Sequence, residues 1–122
     1  MAYNPKRPIS QWAVPYSISD VSTAGQTCLA VPVSGKVVMV RSVLGAAITG
    51  ADATLTVKKN GSSSMGTITV TQSGSAQGDV DELEPTSNNV VTETDYIEVE
   101  TDGGSTGTVE VTGLIIIDPN LA

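Results

Sequence analysis

The densest group of chemically capable side chains is the acidic stretch Gly78-Asp79-Val80-Asp81-Glu82-Leu83-Glu84-Pro85. Two carboxyls held about 5–10 Å apart, with their pKa values driven apart, could hydrolyse a glycosidic bond. The same acids on a flexible loop could offer a Ca²⁺ ion the oxygen ligands a hard cation needs. The spacing is not that of an EF-hand, because the glycine precedes the acids and the glutamate expected at the twelfth position is missing. As part of a polar loop over 73–89, the segment offers neither burial nor a cleft for acid–base work. A solvated acidic loop, or one that pairs with a partner's Lys or Arg, is the plainer reading. A second acidic set, Glu98, Glu100 and Glu110, falls on the polar faces of the last two predicted strands. If those strands pair, the like charges cost stability unless Lys36, Arg41 or Lys58 lies nearby.

Other chemistry is sparse. Histidine is absent, which removes the commonest general base, the usual zinc ligand and every Ser-His triad. Cys28 is the sole cysteine, so it can form neither an intrachain disulfide nor a thiolate metal site; in the run Thr-Cys-Leu-Ala-Val it reads as a small buried hydrophobe. No glycine-rich loop leads into a helix to cradle a phosphate. The residues predict no enzyme, no cofactor and no metal. A net charge of −7, from 13 acidic and 6 basic residues, opposes nucleic-acid binding, which needs Lys and Arg against phosphates. No apolar stretch approaches the ~20 residues that span a bilayer. The start, Met-Ala-Tyr-Asn-Pro-Lys-Arg-Pro, runs into polar and turn residues instead of an apolar signal core, so synthesis in a cytoplasm is expected.

These residues must be positioned by strands. Between Asp52 and Gln72, Ala53, Leu55 and Val57 alternate with Thr54, Thr56 and Lys58. After Asn60-Gly61, Ile68 and Val70 alternate with Thr67, Thr69 and Thr71. Period-two alternation gives one buried and one wet face, and Asn-Gly is the strongest short hairpin signal. Further strands are predicted over 12–19, interrupted by Pro15 and so an edge; 26–31; 36–48; 95–101; and 108–117, with a short one possible near 77–80. The runs Val37-Val38-Met39-Val40 and Leu114-Ile115-Ile116-Ile117 read as strands covered on both faces, the first with the option of changing sheet. The expected fold is all-β: an antiparallel sandwich of about eight strands, closer to a jelly roll than to an immunoglobulin arrangement. Residues 12–122 form the β domain. Residues 1–11, with Pro5, Pro8, Lys6 and Arg7, form an extended N-terminal arm.

For contacts, six residues are singled out: Lys6 and Arg7 on the arm, Trp12 and Tyr16 at the entrance, and Lys58 and Lys59 at the hairpin tip. An exposed Trp12 beside Tyr16 could stack on a sugar ring. A lone Trp at such a place more often plugs the end of a core or anchors a subunit contact.

Five segments carry a resemblance: Val-Pro-Tyr-Ser-Ile-Ser-Asp-Val-Ser-Thr-Ala (14–24), Val-Pro-Val-Ser-Gly-Lys-Val-Val (31–38), Ile-Thr-Gly-Ala-Asp-Ala-Thr-Leu-Thr-Val (48–57), Ser-Gly-Ser-Ala-Gln-Gly-Asp-Val-Asp (73–81) and Ile-Glu-Val-Glu-Thr-Asp-Gly-Gly-Ser-Thr (97–106). Across roughly Trp12 to Asp118 the chain resembles the small β-sandwich decoration, or cement, proteins of tailed-bacteriophage heads. The resemblance implies a structural virion protein on the capsid exterior, with the major capsid protein as partner and a homotrimer as the favoured oligomer. It implies no membrane or nucleic-acid partner. Thr/Val/Gly-rich strands recur in tail and fibre modules of the same viruses, so a receptor- or glycan-binding module of a tail or spike stands as the alternative.

Overall fold

A computed structural model describes residues 11–121. Nine strands follow in chain order: β1 (Trp12–Ile18), β2 (Gly25–Ala30), β3 (Gly35–Leu44), β4 (Ala53–Lys59), β5 (Ser63–Val70), β6 (Val80–Leu83), β7 (Val90–Val91), β8 (Tyr96–Thr101) and β9 (Val111–Asp118). The only helix described is a single 3₁₀ turn, Pro119–Leu121. The strands form two antiparallel sheets stacked as a sandwich. The first has the order β1-β9-β3-β6, with β7 also pairing β3, and the second has the order β2-β8-β4-β5. The pairings nest: β1 with β9, β2 with β8, β3 with β6, and β4 with β5.

The β4–β5 hairpin forms as its alternation predicts. Ala53 faces Val70 and Leu55 faces Ile68. Asn60 and Gly61 take φ of 56° and 73°, the left-handed pair that a tight hairpin turn requires. Asn60 does more than turn the chain. Its side-chain amide donates to Asp95 Oδ1 at 2.9 Å, and its side-chain oxygen accepts the Tyr96 N–H at 3.0 Å. The hairpin tip is thereby fastened to the start of β8.

Val37, Val40, Leu55, Val57, Ile97, Val99, Val111, Ile115 and Ile117 are among the fully or nearly fully buried members of one aliphatic core between the sheets. Burial of each such side chain is worth about 1.5–3 kcal/mol. A bulge in β3 between Val37 and Met39 reconciles its apolar run with a single buried face. The extra residue resets the alternation, so that Val37 and then Val40, Ser42 and Leu44 all point inward. The expectation of two-sided burial is therefore corrected for both runs. β9 lies centrally between β1 and β3, but only Ile115 and Ile117 of Leu114–Ile117 are buried; Leu114 and Ile116 face outward on an open surface.

Two other expectations change. The segment 79–84 is not a loop, since Val80–Leu83 pairs with β3 from Val40 to Val43. Cys28 is exposed rather than buried. It stands opposite Glu98 on the outward parity of β2, where its thiol faces solvent instead of the core.

One packing contact fastens three strands of the first sheet. The buried Tyr16 ring lies against Gly113 of β9, and its hydroxyl donates to the Arg41 carbonyl of β3 at 2.7 Å. Burial holds the phenol protonated well above its usual range. A Cβ on Gly113 would run into both the ring and that carbonyl. In urea denaturation, Gly113→Ala should therefore cost at least about 3 kcal/mol by overpacking against backbone. Tyr16→Phe, which removes only the hydroxyl, should cost about 1–2 kcal/mol. Equal stabilities for the two variants would refute this ranking.

Candidate functional site

Strand β6 disperses the acidic residues that looked most capable of chemistry. Alternation sends Glu82 outward and Asp81 toward the inner side, opposite the buried Ser42. Asp79 accepts the Ala76 N–H at 2.9 Å, and Glu82 pairs with Arg41 at 2.7 Å. Among the described residues, no group of three or more His, Cys, Asp or Glu side chains could hold a metal ion. The second acidic set is also divided, because β8 and β9 lie in different sheets. Lys58 of β4 bridges Glu100 at 2.8 Å and stands opposite Glu98, so one of the three suggested cations does relieve the repulsion. The hydrogen bond to Glu100 raises the Lys58 pKa.

The two outer faces of the sandwich differ sharply. The second sheet presents Gln26, Cys28, Glu100, Thr54, Thr56, Lys58, Thr67 and Thr69, a mainly polar surface that covers Glu98 and has the exposed Tyr96 at one end. The first sheet presents rows set by its register: Ala13–Ile116–Met39, Pro15–Leu114–Arg41–Glu82, and Ser17–Thr112–Val43–Val80. Val43 and Leu114 are each 37% exposed and Val80 is 55% exposed. Contiguous apolar residues on an open sheet face mark interaction surfaces more often than isolated ones do. Beside them, Gln11, Val38, Met39, Arg41 and Ile116 line a shallow depression of about 400 Å³.

The six residues singled out from the sequence do not form one site. Lys6 and Arg7, with most of the predicted arm, lie outside the described residues. Trp12 is 48% exposed at the start of β1, on the inward parity and opposite the buried Ile117, where it overhangs the end of the core. Tyr16 is a correction: two steps inward on the same parity it is 4% exposed, so it offers no surface contact. Lys58 and Lys59 are both engaged within the chain, Lys58 with Glu100 and Lys59 through a 3.0 Å hydrogen bond to the Val90 carbonyl. The residues that sequence reasoning missed are Val43, Val80, Leu114, Ile116 and Met39. For Met39, Leu114 and Ile116 the signal lies in the uninterrupted apolar runs, whose composition suggests burial on both sides; Val43 and Val80 lie outside those runs.

An open groove of about 410 Å³ runs between β1 and β2, lined largely by small hydroxyl residues including Ser17, Ser19, Thr23 and Thr27. Asp20 at its rim accepts hydrogen bonds from the Ser22 hydroxyl at 2.6 Å and the Thr23 hydroxyl at 2.8 Å, which lower its pKa. Those bonds occupy the carboxylate in shaping the β1–β2 turn.

The acid at the edge of the first sheet has a testable pH signature. Desolvation first, and then the neighbouring Asp79, raises the Asp81 pKa. A carboxyl held above its unfolded pKa binds its proton more tightly in the folded state. Its contribution is thus present at low pH and is lost as pH rises through the folded value. Asp81→Asn should make the protein more stable at pH 7, by under about 1 kcal/mol given solvent screening, and the gain should vanish near pH 3. Melting temperatures at both pH values check this; a loss of stability at pH 7 would contradict it.

No protein-family model matches the chain, and no curated protein matches it.

Proposed function

We propose that this chain is a structural virion protein, a decoration or cement protein that binds the outer surface of a tailed-bacteriophage capsid and stabilises the shell. The observation that carries this reading is the contrast between the two outer sheet faces. One offers an open apolar surface suited to holding a neighbour, and the other is polar and suited to solvent. A protein that coats a particle needs both.

The finer reading of the fold is a jelly roll. The nested pairing supports it, because folding a chain back on itself as four successive antiparallel pairs and wrapping it into two four-stranded sheets gives the orders β1-β9-β3-β6 and β2-β8-β4-β5. On this reading β7 is a short addition beside β3. Residues 1–11 act as an extended arm whose Lys6 and Arg7 lie across the acidic surface of a neighbour. The partners are the major capsid protein and further copies of the chain, with a trimer favoured. The protein acts without catalysis or a cofactor, and repetition over many identical sites multiplies weak contacts into strong stabilisation.

The alternative, a receptor- or glycan-binding module of a tail or spike, draws support from the hydroxyl-lined groove between β1 and β2. Copy number in purified virions separates the two. Hundreds of copies per particle are expected for cement, whereas a few to a few dozen would indicate a tail or fibre module. Deleting residues 1–11 should leave the β domain folded by circular dichroism while weakening attachment to the particle. Undiminished attachment would refute the arm's role.

A further inference from the structure

The outer face of the first sheet differs in charge from the rest of the molecule. Outside the first ten residues, which hold Lys6 and Arg7, the chain carries thirteen acidic and four basic side chains, a balance of −9. This face carries Arg41 and Glu82 at its centre and Lys36 and Asp118, opposite each other in register, at one end. Within the paired strands these two basic and two acidic side chains balance, and the further acids Glu84 and Glu110 lie just beyond the strand ends. Two copies of so acidic a chain repel one another over most of their surface. They can approach at lower cost through this face, whose paired strands carry balanced charge beside exposed apolar side chains.

The arrangement is also complementary to itself. Arg41 and Glu82 sit on neighbouring strands, β3 and β6, and Val43 and Val80 sit on the same two strands one row away. At 2.7 Å the Arg41–Glu82 pair is exposed, with side chains about half accessible to solvent, so within one copy it contributes little. Covered by a second copy, the same groups would exchange partners in a drier setting, where ion pairs fix register and exclude wrong partners.

We propose that the outer face of β1-β9-β3-β6 is where copies of this chain meet, with Arg41 of one copy set against Glu82 of its neighbour. Because the two charges lie on different strands, the exchange closes either about a two-fold axis or in a ring of three. The inference rests on the homo-oligomeric part of the function proposed above and names the surface that serves it.

Sedimentation of the full chain tests it. The wild type should associate. Arg41→Glu alone and Glu82→Arg alone should each weaken association at least about tenfold. The double variant Arg41→Glu with Glu82→Arg should associate at close to wild-type strength, because the exchanged charges meet as opposites again in either symmetry. Near-native melting temperatures for both variants confirm that the fold survives. Wild-type association that neither variant weakens, or a double variant no tighter than the single ones, would overturn this face while leaving the oligomeric reading intact. A wild type that stays monomeric would overturn both. Under that outcome, a loss of copies per virion for Arg41→Glu would assign the face to the shell protein instead.

Discussion

The packing of Tyr16 on Gly113, with the phenol donating to the Arg41 carbonyl, is the contact on which the first sheet depends. A ring on edge strand β1 crosses central strand β9 at the one residue without a side chain and reaches the backbone of β3. The aromatic fills the space the glycine leaves and replaces a weak point in the sheet with a three-strand tie. Because the hydroxyl holds the carbonyl of Arg41, the strand that points this guanidinium outward is fixed in position by a core residue. The same tie explains how a chain with three tyrosines, one tryptophan and no phenylalanine keeps a defined core.

From that tie, the architecture separates two surfaces. The bulge in β3 brings Val37 and Val40 to the same inner side and thereby sets Met39, Arg41 and Val43 outward, in register with Ile116, Leu114 and Thr112 of β9. The second sheet has its own register shift, where Val57 of β4 meets Gly66 and Lys58 meets Ser64 of β5, and its outer positions on β4 and β8 are Thr, Glu and Lys together with Tyr96.

Much of this was legible in the residues. The β4–β5 hairpin, the edge position of the Pro15 strand and the all-β sandwich follow from alternation and turn chemistry, which act locally. The site was harder to read. Leu114–Ile117 has the composition of a strand buried on both sides, and only the lack of a layer above the first sheet among the described residues leaves half of it open. Tyr16 reads as a surface residue from its proximity to Trp12, yet period-two geometry puts both on the inward parity and the core covers only the deeper one. Cys28 failed in the opposite sense: its apolar neighbours suggested burial, but its parity on β2 places it outside. The Asp79–Glu84 acids suggested a loop because β6 is short and polar, and its pairing with β3 is a long-range event that no local pattern announces. In each case the strand was recognisable from its own residues, whereas what covered it depended on distant ones.

The nesting of the strands also governs how the chain can be made. Trp12 of β1 pairs with Ile117 of β9, at the opposite end of the strand succession, and β2 likewise waits for β8. Only β4 and β5 meet through a short turn. Pairing between strands so remote in sequence is slow, because the intervening chain must first be ordered. The first sheet cannot join β1 to β3 until β9 lies between them. The hairpin is the most local piece of native structure the chain can form before then, and aliphatic strands on either side of it remain open to wrong partners.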